Sequence, residues 1–333
     1  MDALEDALDS VAKTTDFSGV VRVDRSGGVF ARAYGLADRA HGISNTIDTR
    51  FGIASGTKGL TALAVVSLIE AGMLDLSTTA RSVLGTDLPM IDEAVTIEHL
   101  LSHRSGIGDY FDEDAFEQIT DYVMAVPAHE LATTEDYLVV LDGHPTVSAP
   151  GERFAYNNGG YVVLALISER ASGVPFHELV RQHVCEPAGM HDTAFLRSDE
   201  LPGRAAVGYL TADGPRTNVF HLPVRGSGDG GIYSTAADFG SLWSAVFAGR
   251  IVSEGWVAEM VRPRSEVPSE SRRYGLGLWL HTSGNAVELH GYDAGVSFRS
   301  VHDPGSGTTS TVISNTSEGT WPIETLLDEH LAG

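Results

Sequence analysis

The stretch FGIASGTKGLTAL, residues 51 to 63, carries one of only two lysines in a chain of 333 residues, Lys58, three positions after Ser55. From Thr57 onward the run TKGLTALAVVSLIEAG is apolar nearly all round and stops at Gly72, the pattern of a buried helix with Ser55 at its N-terminus. Helical spacing puts Lys58 one turn beyond Ser55 on the same side. A serine hydroxyl is a poor nucleophile until a base takes its proton, and a lysine can serve only if burial lowers its pKa. The apolar helix supplies that burial. Amide N–H groups and the positive dipole at a helix start also favour the anion that forms when a serine attacks a carbonyl. Alone, the pair also reads as a capping serine followed by a surface lysine, so the rest of the chain has to decide.

Composition sets the bounds. A hydrophobic content of 42% is ample for a full core, in one large domain or two intimate lobes. Asp and Glu number 45 against 22 Lys and Arg, a formal charge of -23, which repels nucleic acid and anionic membrane and leaves no basic stripe for either. The single cysteine, Cys185, excludes an internal disulfide and a multi-cysteine metal site, and its PAGM context reads as a packing point. The N-terminal run MDALEDALDSVAKTTDF carries acids where a signal peptide needs bases, and no stretch reaches the roughly 18 apolar residues of a membrane span. A cytoplasmic location is the expectation.

Periodicity separates sheet-like ends from a helical middle. Leu4, Leu8 and Val11 share one helical face. GVVRVDRSGGVFARAYG alternates and breaks at Arg25-Ser26-Gly27-Gly28, a hairpin pattern. Near the other end YGLGLWLHT, AVELHG, GVSFRSV and STVISN read as successive short strands, followed by a helix from about Trp321 to Leu331. Between them EDYLVVLDG and GGYVVLALISERASG have helical patterns among Gly- and Pro-rich loops. The fold class expected is α/β (α+β), an antiparallel sheet flanked by helices with a mostly helical second lobe. Residues 1–75 with 226–333 would form the sheet lobe, 76–225 the helical lobe, and the site would lie between them.

Two further motifs keep Ser55 and Lys58 company. PGERFAYNNGG places Tyr156 and Asn158 two residues apart, just before the second helical run. A tyrosine near a lysine ammonium ionises more easily and relays protons, while the amide can grip a substrate carbonyl and the lysine together. VELHGYDAGVSFRS is strand-like and carries His290 and Gly291, and its edge could lie beside a bound substrate and contribute an oxyanion N–H.

At these three places the chain resembles the serine β-lactamase-like family: class C β-lactamases, serine D-Ala-D-Ala carboxypeptidases, D-aminopeptidases and related esterases. The likeness spans nearly the whole length, through Ser55-Gly56-Thr57-Lys58, HLLSHRSGI, Tyr156-Asn157-Asn158, CEPAGMHDTAF and GGIYSTAADF. The resemblance implies a β-lactamase/transpeptidase-like fold and an acyl-enzyme on Ser55. It also implies proton transfer shared by Lys58 and Tyr156, substrate positioning by Asn158, and an oxyanion hole from the Ser55 N–H with a second N–H, assigned to Asp293. The family's third motif, Lys-Thr-Gly or His-x-Gly, here reads His290-Gly291-Tyr292. Tyr292 replaces a glycine that lets substrate lie close to the strand, so it is expected to narrow the cleft or shift the register. A neutral His290 holds a substrate carboxylate weakly.

Esters or uncharged amides are therefore expected ahead of β-lactams or D-amino-acid peptides, with a non-catalytic binding module as the reading from another class. Tyr110, Phe111, Phe220 and Trp243 are candidate cleft aromatics. His99 and His103 in HLLSH have a zinc-ligand spacing but lack the glutamate of HExxH and a third ligand. GSGDGG, residues 226 to 231, matches a dinucleotide fingerprint by letter without a preceding strand. Neither a metal nor a cofactor is expected, and the oligomeric state is not legible.

Overall fold

In a computed structural model that describes residues 2–113 and 117–331, the alternating runs near the two ends join one sheet. Gly19–Arg25 pairs with Gly28–Tyr34 across the Ser26-Gly27 turn, and on its other side with Thr308–Ser314. Antiparallel neighbours continue through Val296–Asp303, Val287–Asp293, Trp279–His281 and Arg272–Tyr274 to Ser265–Val267, giving eight strands.

Successive residues of a strand point to opposite faces, and both faces here are covered. On one, Leu4 and Leu8 of the Asp2–Thr14 helix and Ile323 and Leu327 of the Trp321–Leu331 helix meet Val21, Val23, Phe30 and Val312. On the other, Val20, Leu289, Phe298 and Ile313 join a larger core with the helices Thr57–Glu70, Asn158–Ser172 and Ala236–Phe247. Each fully buried Leu or Phe is worth about 1.5–3 kcal/mol, so the central helix, buried on nearly every side, is a main support of the fold.

Two segments differ from their sequence reading. YGLGLWLHT is not one strand: Tyr274 ends one and Trp279 begins the next. The turn between them contains Gly277 at φ +79°, where a Cβ would lie 2.2 Å from that of Ala62. Alternating glycine and leucine mimic a strand's period, while Gly277 serves a tight approach to the Thr57–Glu70 helix and Gly275 one to the Met260 carbonyl. EDYLVVLDG makes only a single 3₁₀ turn and the four-residue helix Leu138–Leu141, after which Asp142 is extended. Among the described residues no helix is long and apolar enough to cross a membrane.

Candidate active site

Ser55 sits in a one-turn 3₁₀ helix, Ala54–Gly56, that runs straight into Thr57–Glu70. Ala54, immediately before it, has φ +44°, a left-handed conformation that costs a non-glycine residue about 1–3 kcal/mol and is common where a reactive side chain must be held in place. Gly291 of the Val287–Asp293 strand lies against this turn. A Cβ on Gly291 would come within 2.1 Å of the Ile53 carbonyl oxygen and 3.0 Å of the Ser55 amide nitrogen.

Lys58 Nζ is 2.8 Å from Ser55 Oγ, 2.7 Å from Asn158 Oδ1 and 2.8 Å from the Asp229 carbonyl oxygen. The last two can only accept, so each takes an N–H of the lysine. A neutral amine has two N–H bonds and one lone pair, and that lone pair is then left for the hydroxyl of Ser55. Lys58 is 2% exposed, and burial lowers its pKa against the opposing charges of Asp229, Glu113, Asp109 and Asp293.

Tyr156 and Asn158 arrive from the start of the Asn158–Ser172 helix. Asn157 caps that helix, its Oδ1 accepting from Gly160 N at 2.6 Å, and Asp109 accepts from the amides of Asn158 and Gly159 at 2.6 and 2.8 Å. The Asn158 side chain donates to the Phe111 carbonyl at 2.9 Å and to Glu113 at 3.0 Å, while its oxygen faces Lys58. Its amide therefore ties the lysine to the loop after Asp109, with both N–H donors engaged there.

The Lys58 nitrogen lies 5.0 Å from the centre of the Tyr156 ring. Burial pushes the Tyr156 hydroxyl well above its usual pKa, with the charge of Glu113 adding to the rise and the Ser55 hydrogen bond opposing it. This corrects the expectation of an easily ionised tyrosine: buried and near carboxylates, the phenol holds its proton more tightly than a free one.

The third motif also differs from its reading. His290 pairs with Arg299, so the two share a face of the sheet, opposite that of Gly291 and Asp293. His290 lines a separate groove with Trp279 and Trp321, and the Tyr292 ring packs 5.5 Å from Trp321. Neither is among the residues that line the cavity over Ser55, and the register with Val296–Asp303 is continuous, so Tyr292 brings no register shift. Asp293 does line that cavity.

The cavity measures about 820 Å³ including its open mouth. Tyr110 and Phe111 line it with Tyr122, Met124, Leu222 and Val296. Phe220 and Trp243 do not: Phe220 is 86% exposed, and Trp243 is buried in the core with its indole N–H on Ser300 Oγ at 2.9 Å.

Sequence reasoning missed the acidic surround. Asp229 lies in the GSGDGG loop and accepts from the Tyr110 hydroxyl at 2.6 Å. Burial raises its pKa, lifts Asp109 to about 6 and lifts Asp293 to about 7. Asp229 meets Lys58 through its main-chain carbonyl, which no residue type signals; the only cue was an acid inside a glycine-rich loop. Among the described residues no group of three or more His, Cys, Asp or Glu side chains is arranged to hold a metal. His99 instead completes a helix cap with Thr96.

Comparison with known proteins supports the family resemblance. The Beta-lactamase family model matches residues 4–330. The putative penicillin-binding protein PbpX of Bacillus subtilis (strain 168) is 28% identical over 280 residues, covering 82% of this chain and 64% of that protein. Esterase EstB of Burkholderia gladioli is 35% identical over 187 residues, 54% of this chain and 47% of that one. The chain thus spans less than two thirds of the length of these relatives. A penicillin binding protein from Bacillus halodurans superposes with a TM-score of 0.90 at 35% identity, over 97% of this chain and 99% of that chain. D-amino acid amidase from Ochrobactrum anthropi SV3 shares the fold, with a TM-score of 0.80 at 23% identity over 99% of each chain. The chain belongs to the Beta-lactamase family.

Proposed function

We propose that this protein is a serine hydrolase that cleaves small esters or uncharged amides through an acyl-enzyme on Ser55. The observation that carries the reading is the hydrogen-bond set of Lys58, in which Asn158 Oδ1 and the Asp229 carbonyl each take an N–H and Ser55 Oγ stands 2.8 Å from the remaining position, which is the lone pair once the amine is neutral. As Ser55 attacks the substrate carbonyl carbon, its proton passes to Lys58 and the carbonyl electron pair moves onto oxygen. The amides of Ser55 and Asp293 are the donors proposed for that oxyanion. Collapse expels the alcohol or amine, which takes the proton from Lys58 through the Tyr156 hydroxyl. Water then attacks the acyl carbon by the same route in reverse, and Ser55 regains its proton.

The carboxylates around Lys58 fit this cycle, because they stabilise the ammonium that exists only between the two proton transfers. They also favour uncharged substrates over penicillins. Among the described residues the cavity lining contains Asp229 and Asp293 and no Lys or Arg to pair with a substrate carboxylate. On this reading residues 1–75 with 226–333 act as the sheet lobe and 76–225 as the helical lobe. Ser55 and Asp293 line the cavity from the first, Tyr110 and Asn158 from the second.

The test is a substrate panel of p-nitrophenyl acetate and butyrate, nitrocefin and D-alanyl p-nitroanilide. Ester turnover with nitrocefin left intact is expected. Nitrocefin hydrolysis without ester turnover would move the protein to the β-lactamase side, and inactivity on every member would leave a binding module.

A further inference from the structure

HLLSH offered two histidines, and the site as described uses neither. His103 is 1% exposed, and its contacts converge on Tyr156. Its carbonyl oxygen accepts the Ala155 N–H at 2.8 Å, and its Nδ1 accepts the Asn157 N–H at 3.1 Å. These are the residues on either side of Tyr156. The imidazole lies 4.4 Å from the Tyr156 ring, tilted by 34°, and Trp279 stacks along the same tyrosine at 6.2 Å and 15°.

The hydrogen bonds also settle which imidazole nitrogen is protonated. Because Nδ1 accepts, its lone pair is committed and the proton is on Nε2. No protein atom among the described residues accepts from Nε2, and the rings of Tyr161 and Tyr274, both 4.9 Å away, and Phe154, at 5.7 Å, surround the imidazole. His103 has φ +54°, a left-handed conformation that His, Asn and Asp adopt more readily than other side chains. A neutral ring with its acceptor aimed at the main chain is what this pocket requires. Burial holds the ring in that form.

We propose that His103 is the positioning residue for Tyr156: its carbonyl and Nδ1 grip the backbone on both sides of the tyrosine and hold the phenol between Ser55 and Lys58 for proton relay. The inference rests on the proton-transfer role proposed for Tyr156. Its signature is that losing the Nδ1 acceptor costs turnover only while the Tyr156 hydroxyl is present to be misplaced.

The experiment is a double-mutant cycle on p-nitrophenyl acetate hydrolysis, with circular dichroism and Tm recorded for each variant. His103→Leu, close in volume but without an acceptor, is expected to lower kcat about 10- to 100-fold with KM changed less than about 3-fold. In the Tyr156→Phe background the same substitution should cost less than about 3-fold. His103→Asn tolerates the left-handed backbone and keeps an acceptor near Nδ1, so it should stay within about 5-fold of the parent. If His103→Leu does not fold, His103→Met takes its place, being flexible enough to fill the same space without a strong acceptor. Equal losses from His103 substitution in both backgrounds, or full activity in the Leu or Met variant, would overturn the inference while leaving the hydrolase reading intact. Full activity of Tyr156→Phe alone would overturn both the relay and the positioning role.

Discussion

Lys58 carries the chemistry at the scale of single residues, and its protonation gives the site a definite pH response. The base acts only when neutral, and burial lowers its pKa from the ordinary 10.5. Activity should therefore rise with pH through that depressed pKa and level off below pH 10.5, which a kcat/KM profile on p-nitrophenyl acetate would test. An acid limb centred at the ordinary lysine value would deny the lysine its role as base. Lys58→Arg should lose at least about 10³-fold, since a guanidinium keeps its proton throughout the accessible range. Tyr156→Phe should lose about 10²- to 10⁴-fold if the hydroxyl relays protons, and a loss below about tenfold would reduce it to packing.

At the scale of elements the site depends on a strand pressed against the serine turn. Gly291→Ala would drive a methyl group into the Ile53 carbonyl and the Ser55 amide. We expect a loss of about 1–3 kcal/mol from overpacking and a fall in kcat, read by thermal melts and ester kinetics. Unchanged stability and rate would mean that the turn can move aside freely. Elements were also where sequence reasoning was most uneven. The Ser55–Lys58 pair and the Tyr156–Asn158 pair were legible because helical spacing and helix starts fix where such side chains stand. Alternation likewise revealed the terminal hairpin and the later strands. His290 and Tyr292 were misjudged because a motif read by letter ignores which face of the strand each side chain takes. Asp109 and Asp229 escaped because they arrive from loops far away in sequence, one capping a helix and the other offering a main-chain carbonyl.

At the scale of the whole molecule, buried groups link folding to pH, and His103 and Glu288 make the folded state less stable as pH falls. His103 is held neutral, its pKa well below 6.5. Below pH 6.5 the unfolded chain therefore binds a proton that the folded chain excludes, and stability falls as pH drops. Glu288 adds to this at lower pH. Burial pushes its carboxyl up, but the His281 hydrogen bond and the Arg299 and Arg272 charges overcome that and hold it well below the carboxylate range. Its contribution is full above about pH 4.5, the ordinary glutamate value, and is lost as pH falls toward the folded pKa. Asp109 and Asp293, raised to about 6 and about 7, act in the opposite direction over the same range, so the parent's Tm profile is the balance of the two signs. Glu288→Gln should lower stability at neutral pH by about 3–5 kcal/mol, because Arg272 loses its carboxylate partner and Arg299 keeps only Asp328, and the gap from the parent should close as pH falls below about 4.5. A Glu288→Gln gap that stays constant from neutrality down to about pH 2 would contradict the Glu288 assignment, and a His103→Leu Tm profile parallel to the parent's below about pH 6.5 would contradict the His103 assignment. The central claim, covalent catalysis by Ser55, is tested most directly by acid-quenching the protein during p-nitrophenyl butyrate turnover and locating the acyl group by intact-mass and peptide mass spectrometry. The account predicts one butyryl group on Ser55, and neither adduct nor turnover in Ser55→Ala; turnover that persists in Ser55→Ala, or an acyl group on another residue, would contradict it.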